Sequence, residues 1–237
     1  MPAADASLKL LPALEFSRAP LKNRMTRAPI RTGFDFTFAM RRLIGDMIER
    51  LPELSHIELD RVLVAFTQTR KRVPHGIQAT LTPMRFQGGR RTTRRRGHWY
   101  RIQACVDASG REMLYVLSFY LPRFLDRPLD DKFVTILHEL WHISPRFDGD
   151  LRRHPGRCYA HSHSQAEYDR AMAELSRRWL DANPSRELYA FLEGGFSDLQ
   201  QLHGRVYGMQ IRRPRLVRVS DPEQSEREME AVLQNRR

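Results

Sequence analysis

Five consecutive residues, His138-Glu139-Leu140-Trp141-His142, combine two imidazoles with one carboxylate at a spacing that suits metal chemistry. On a helix, side chains four positions apart lie on the same face about one turn apart, so His138 and His142 can bind a single metal ion. Glu139 lies about 100° further round such a helix, where its carboxylate can hold a water without binding the metal. The pattern predicts two metal ligands and a general base that together attack a carbonyl with a metal-activated water.

A catalytic zinc needs a third protein ligand and an open fourth position, and the chain after the motif offers several candidates. Asp148 has the spacing of the third ligand in H-E-x-x-H-x-x-G-x-x-D sites, although Pro145 occupies the position of the glycine. A candidate that does not bind the metal could instead orient a ligand imidazole through a hydrogen bond. The candidates are His154, His161, Asp148 and Glu167.

Two neutral imidazoles at this spacing favour Zn²⁺, one ion per chain, because zinc prefers nitrogen and sulfur ligands in tetrahedral sites. The general order of affinities among divalent metals does not by itself exclude cobalt, nickel or copper. We therefore expect zinc as the cofactor.

The motif lies on a predicted helix that Asp130 or Asp131 can cap and whose apolar residues recur at helical spacing. An amphipathic helix is predicted from Asp35 to Leu51, and further helices are predicted at 164–182 and 184–191. This order of elements predicts an α+β domain, with a sheet of about four mainly antiparallel strands beside the motif helix and helices at the C-terminal end. The predicted strands are Ile57–Thr69, Ile77–Met84, Trp99–Val106 and Met113–Tyr120.

Changes in composition along the chain suggest three regions. Residues 1–33 contain four prolines and no sustained periodicity, which predicts an extended N-terminal arm. Residues 34–205 carry the predicted helices and strands and form the expected domain. Residues 206–237 are first basic and then mixed in charge, which predicts a C-terminal tail.

The composition is ordinary for one soluble domain, since 41% of the 237 residues are hydrophobic and 29% are charged. No membrane-spanning run or signal peptide is predicted, because the apolar runs are short and the first residues lack a basic region followed by an apolar one. Cys105 and Cys158 are far apart in sequence, which argues against a disulfide framework. We expect a cytoplasmic protein that does not associate with membranes.

Much of the net charge of +12 is concentrated in one run of arginines. Such a run can form a solvated loop that keeps the protein soluble, or it can contact nucleic acid or an acidic substrate. A second basic stretch lies at 212–218. The arginines of the first run are Arg90, Arg91, Arg94, Arg95 and Arg96.

The segment from Leu137 to His154 resembles the phage-type metallopeptidase family, whose members combine H-E-L-x-H-I with a following small-residue turn and an L-R-x-H element. Here those elements are His138-Glu139-Leu140-Trp141-His142-Ile143 and Leu151-Arg152-Arg153-His154. The resemblance covers roughly residues 55–170. It implies a compact zincin-like fold and nominates His154 as the third ligand.

Three hypotheses of function follow. The first is a zinc metallopeptidase acting on peptide or protein, with the substrate added as a strand to a sheet edge formed by the strands that flank Arg90–Arg96. The second is a nucleic-acid-associated protease, in which the arginine run contacts the nucleic acid and Trp99 or Tyr100 stacks on a base. The third is a non-catalytic nucleic-acid or protein-binding module with a structural zinc.

Overall fold

The first helix follows directly from its apolar periodicity and its cap. A computed structural model of the chain describes residues 33–69, 76–107, 109–153 and 165–223, together with positions 227 and 231. Helix α1 (Phe36–Arg50) begins after Asp35, whose carboxylate accepts a hydrogen bond from the Phe38 amide at 3.0 Å. It ends at Leu51, before a proline that cannot continue it. The prediction of this helix is confirmed. Its buried residues are Phe36, Met40, Leu43, Ile44 and Met47.

A three-stranded central sheet lies in the core beside α1. Its strands β2 (Val62–Gln68), β3 (Ala79–Pro83) and β6 (Tyr115–Leu121) are arranged in the order β2-β6-β3. Strand β6 runs parallel to β2 and antiparallel to β3. The central sheet has three strands and one of its two pairings is parallel, so the prediction of about four mainly antiparallel strands was wrong. The chain between β3 and β6 leaves this sheet, and β6 then returns to lie between the two earlier strands.

The third predicted strand, Trp99–Val106, belongs to a second, antiparallel sheet. Strands β4 (Thr92–Arg95), β5 (His98–Ile102) and β8 (Leu216–Val219) form this sheet in the order β4-β5-β8. The arginine run is therefore partly a strand. Arg96 and Gly97 join β4 to β5 with positive φ angles of 46° and 80°, as a type I′ hairpin turn requires.

Two strands come from the region that was predicted to be a tail. Strand β1 (Phe34–Asp35) pairs in parallel with β7 (Val206–Tyr207), and β8 pairs with β5. Both β7 and β8 contain the β-branched residues that favour strands, and each finds its partner far away in sequence. The chain from 206 to 219 is therefore integrated into the fold.

Three further helices complete the described part of the chain: α2 (Leu129–Trp141), α3 (Gln165–Asp181) and α4 (Phe196–His203). Helix α2 packs against α3 and β3. The predicted capping of α2 by Asp130 or Asp131 was wrong, because Pro128 occupies the cap position and both aspartates lie in the first turn, where their charge favours the helix dipole. The helix predicted at 184–191 consists of two short 3₁₀ turns.

The architecture is thus mixed α+β, with the main core between the helices and the central sheet. Lys132, in α2, has a fully buried side chain whose ammonium group donates to the carbonyls of Leu192 and Gly194 at 2.6 and 2.9 Å. These bonds attach α2 to the 3₁₀ turns that precede α4. Within the described ranges, no helix is long and apolar enough to cross a membrane.

Candidate metal centre

The two histidines of the motif meet at the C-terminal end of α2. His138 lies in the last turn of the helix, and His142 is the residue that ends it, with φ −68° and ψ −14°. Their ring centroids are 4.7 Å apart and the rings are nearly perpendicular, at 79°. Buried Leu137 and Leu140 anchor this turn in the core, which fixes the orientation of the helix and leaves both imidazoles partly exposed on another face.

Glu139 lies between the end of α2 and the neighbouring strand β3. Burial raises the pKa of its carboxyl to about 7, although a hydrogen bond from the Leu81 backbone amide works in the opposite direction. A second contact joins the same two elements, since the Thr135 hydroxyl donates to the side-chain oxygen of Gln78 at 3.2 Å. The predicted base is therefore half-buried, beside the edge of the central sheet.

The edge of β3 next to Glu139 carries backbone groups that β6 does not use. Tyr120 donates to the Gln78 carbonyl and Met84 donates to the Leu114 carbonyl, which defines the hydrogen-bonded pairs of this antiparallel ladder. Bonding alternates along such a strand, so the amide and carbonyl groups of Ala79 and Leu81 point away from β6. This outer edge faces the motif helix.

Tyr168, from α3, completes the aromatic surroundings of the two imidazoles and was not singled out from the sequence. Its ring contacts that of His138 edge to face at 4.8 Å and stacks on that of His142 at 6.0 Å. Its hydroxyl donates a long hydrogen bond of 3.4 Å to the His138 carbonyl. Burial, and to a lesser extent the charge of Glu139, raises the pKa of Tyr168.

A signal for Tyr168 was present in the sequence of its helix. Four residues at helical spacing form one buried stripe of α3, and Tyr168 is the member of that stripe nearest the motif. What the sequence could not indicate is that this stripe faces the end of α2. The four residues are Tyr168, Met172, Leu175 and Trp179.

Arg152 caps the end of the motif helix. Its Nε donates to the Trp141 carbonyl at 2.7 Å, and its backbone amide donates to the His142 carbonyl at 2.7 Å. Its guanidinium lies 4.2 Å from the centroid of the Trp141 ring. A cation at this helix terminus is favoured by the carbonyl groups that end there, so Arg152 stabilises the turn that carries the histidines.

The chain after the motif folds back as a tight hairpin held by Asp150. Ile143 and Leu151 form an antiparallel bridge, and the Ser144 amide donates to the Asp150 carbonyl at 3.3 Å. The Asp150 carboxylate is buried. It accepts hydrogen bonds from the backbone amides of Gly88 and Leu151 and two from the Arg153 guanidinium.

The glycine that this hairpin needs is at position 149. Gly149 has φ +84°, and a Cβ there would overlap the side chain of Arg85. Phe147 also adopts a positive φ of 49°. The H-E-x-x-H-x-x-G pattern places its glycine at position 145, whereas the left-handed residues of this turn are Phe147 and Gly149. Pro145 is therefore compatible with the turn.

The candidates for a third ligand are only partly within the described ranges. The Asp148 carboxylate accepts from the Asp150 amide at 3.2 Å and lies 3.4 Å from Arg146, so it is engaged within its own turn. His154, His161 and the side chain of Glu167 lie outside the described residues. Among the side chains that are described, no group of three His, Cys, Asp or Glu residues could hold a metal ion. His138 and His142 are the two imidazoles that could share one metal ion, since their ring centroids lie 4.7 Å apart.

The predicted arginine contacts fall into two groups. Arg91 is tied to the domain through Glu112, at 3.1 Å, and shares that carboxylate with Arg85 at 2.6 Å. Arg90 donates to the Gln87 carbonyl. Arg94, Arg95 and Arg96, in contrast, are exposed on β4 and its turn.

A cleft of about 560 Å³ lies away from the motif, between the start of α1 and α4. Phe34, Phe38 and Leu202 contribute to its apolar lining. No residue of the motif lines this cleft, so the cleft is separate from the candidate metal centre at the end of α2.

No known protein family, curated protein or solved structure matches this chain. Its function must therefore be inferred from its own residues.

Proposed function

We propose that this protein is a zinc-dependent metallopeptidase in which His138 and His142 bind the metal and Glu139 is the general base. The observation that carries the proposal is the close packing of the His138 and His142 rings at the end of α2, with Glu139 beside the outer edge of β3. Zinc, when bound, would supply a Lewis acid that activates a water and polarises the scissile carbonyl. The H-E-L-x-H-I and L-R-x-H elements of this chain, which resemble those of the phage-type metallopeptidases, point to the same chemistry.

In this proposal His154 is the third ligand, as the L-R-x-H element implies. The cap that Arg152 forms on α2 supports this assignment, because it holds the start of that element against the motif. Asp148 is the weaker choice, since its carboxylate is engaged by Arg146 and by the Asp150 amide. His161 and Glu167 remain alternatives.

We further propose that the fold is zincin-like and that peptide substrates add to β3 as an extra strand. Ala79 offers its amide and carbonyl for this pairing, and Leu81 offers its carbonyl, since the Leu81 amide donates to Glu139. Pro83 ends the pairing because proline has no amide hydrogen. Of the two strands expected to provide this edge, only β3 lies next to α2. Strand β5 pairs in the second sheet instead.

Glu139 then has a defined task. Its carboxylate accepts a proton from the attacking water as the new C–O bond forms, and it returns that proton to the departing amine as the C–N bond breaks. The Leu81 amide holds the carboxylate towards the substrate edge before the reaction. Tyr168 and Arg152 act as positioning residues, since they pack against the histidines and the helix end.

The test compares zinc content and proteolysis in matched variants. Wild type, Glu139→Gln and Glu49→Gln are purified, their zinc is measured by mass spectrometry, and each is incubated with a peptide library whose cleavage is followed. Glu49 is exposed on α1, so its variant controls for the loss of one carboxylate. We expect zinc in all three proteins and a loss of about 10²–10⁴-fold in cleavage rate for Glu139→Gln alone. Unchanged cleavage in that variant would overturn the proposal.

The same proteins separate catalysis from a structural zinc. A closed site with four protein ligands predicts that Glu139→Gln is silent and that His142→Ala unfolds the domain. The proposed peptidase predicts that His142→Ala loses zinc and activity while its circular dichroism spectrum persists. Unfolding of His142→Ala together with a silent Glu139→Gln would favour the structural role.

A further inference from the structure

The second sheet is built from segments that contain no acidic residue. Residues 76–106 and 204–220 include neither aspartate nor glutamate, and together they supply β4, β5 and β8. Exposed arginines lie on the outer strands and in the hairpin turn. They are Arg94, Arg95, Arg96 and Arg218.

Among the described side chains, these arginines lack the ion pairs that neutralise several arginines elsewhere on the protein. Arg177 lies 2.6 Å from Glu174, and Arg186 lies 2.6 Å from Glu193. Within the described ranges, by contrast, no carboxylate lies within ion-pair distance of Arg94, Arg95 or Arg218. Their charges repel one another without internal compensation, so an external polyanion would bind favourably there.

The strand register places an aromatic ring among these cations. Side chains of directly paired residues lie on the same face of a sheet, and Tyr100 pairs with Thr93 on one side and Arg218 on the other. Arg95 and His98 form the next pair on the same face. The Arg218 guanidinium lies 2.7 Å from Nδ1 of His98, which holds these two side chains together.

This Tyr100 face, formed by Thr93, Arg95, His98, Tyr100 and Arg218, with Ile102 and Leu216 paired at its far end, is the more exposed side of the sheet. Along β8, Arg218 is exposed, whereas Val217 and Val219 on the opposite face are half-buried. Trp99 lies on that opposite face, paired with Val219. The Tyr100 face is therefore the side that β8 presents to solvent.

We propose that the Tyr100 face binds single-stranded nucleic acid, with a base stacked on Tyr100 and the phosphates contacted by Arg95, Arg96 and Arg218. A sheet that presents an aromatic ring between cations suits unpaired bases, because every base offers a flat face for stacking. Bases within a duplex are already stacked on their neighbours, and an acidic peptide would leave Tyr100 without a stacking partner. This proposal does not depend on the peptidase activity.

The geometry sets the size of the expected effect. With about three phosphate contacts, from Arg95, Arg96 and Arg218, the logarithm of the affinity should fall by about 2 per tenfold rise in salt, so binding weakens about 20-fold between about 50 and 200 mM. Loss of the stacked ring should weaken binding on the order of tenfold.

The experiment measures binding of the full-length protein by fluorescence anisotropy. The probes are a labelled oligothymidylate, the same strand in a duplex with oligoadenylate, and a labelled polyglutamate peptide. The variants are Tyr100→Leu, Tyr100→Phe and the double variant Arg95→Gln/Arg218→Gln. The control is Arg177→Gln/Arg186→Gln, which removes the same charge from other surfaces, and all proteins are checked by circular dichroism.

The proposal expects the single strand to bind more tightly than the duplex and the peptide. Tyr100→Phe keeps the ring and should bind as wild type does, whereas Tyr100→Leu and the Arg95/Arg218 variant should lose affinity and the control should not. Equal affinity for the polyglutamate peptide, or full affinity in folded Tyr100→Leu, would overturn the assignment. Glu139→Gln should bind normally, so failure of the peptidase proposal and failure of this one can be told apart.

Discussion

Replacing Asp150 with asparagine tests how the hairpin after the motif is held. One carboxylate oxygen accepts from the Gly88 amide and from Arg153 Nε, both at 2.9 Å. The other accepts from the Leu151 amide at 2.8 Å and from Arg153 Nη2 at 2.9 Å. Asparagine has the same shape but replaces one oxygen by an NH₂ group. One backbone amide and one guanidinium N–H then face a donor instead of an acceptor.

The loss of stability in Asp150→Asn can be estimated from those contacts. A buried amide without an acceptor costs about 1–3 kcal/mol, and the loss of a charge-assisted bond adds to this. Because Arg153 is partly exposed, its share is discounted. We expect Asp150→Asn to lower the free energy of unfolding by about 3 kcal/mol, and to lower Tm by about 6–12 °C for a chain of this size.

The effect should depend on pH with a defined sign. Burial raises the pKa of Asp150, but hydrogen bonds from Arg153, Gly88 and Leu151 outweigh it and leave the pKa below the ordinary value of 3.8. A carboxyl group whose pKa is lower in the folded state stabilises the fold. This stabilisation is fully present above the pKa of the unfolded state, and it is lost as pH falls through the pKa of the folded state. The difference between wild type and Asp150→Asn should be equal at pH 7 and pH 5 and should shrink below about 3.8.

Urea unfolding followed by circular dichroism, at several pH values, measures both quantities. Asp148→Asn is the matched control, since Asp148 lies in the same turn but is more exposed and makes fewer bonds. We expect this variant to lose less than about 1 kcal/mol. If Asp150→Asn were as stable as wild type at pH 7, the hydrogen bonds to Gly88 and Leu151 would not be what holds the hairpin.

Substitutions at two further positions probe the surroundings of the motif. Gly149→Ala should lower the free energy of unfolding by about 2–4 kcal/mol, because the φ angle of Gly149 is +84° and the added Cβ overlaps the Arg85 side chain. A urea unfolding curve that matches wild type would contradict this. Tyr168→Phe should change Tm by less than about 2 °C, since its hydroxyl bond is long at 3.4 Å. Tyr168→Ala should lower the free energy of unfolding by about 3–5 kcal/mol and weaken zinc binding, because the Tyr168 ring packs on both imidazoles. Zinc titration measures this affinity, and an affinity equal to that of wild type would contradict the role of the ring.

Much of the local structure could be predicted because its causes are local. The apolar spacing of α1, its cap at Asp35 and the proline after it lie within one segment, so the helix and both its ends follow from the sequence. The approximate positions of β2, β3, β5 and β6, and of the helix carrying His138 and His142, were predicted from periodicity and breakers in the same way.

The remainder depends on contacts between segments far apart in sequence. Arginines at 94–96 indicated a loop, yet β4 is a strand because β5 pairs with it, and β8 joins from more than a hundred residues further along the chain. The parallel pairing of β2 with β6 likewise depends on the path between them.

At the candidate metal centre, the sequence by itself determined the spacing of two imidazoles and a carboxylate on one helix. Only the tertiary structure placed Tyr168 against both rings, Arg152 over the helix end and Leu81 beside Glu139. Helical spacing brings residues of one turn together, whereas the side chains that surround them come from a strand, a hairpin and a second helix. Their meeting depends on how the core packs, which no local pattern encodes.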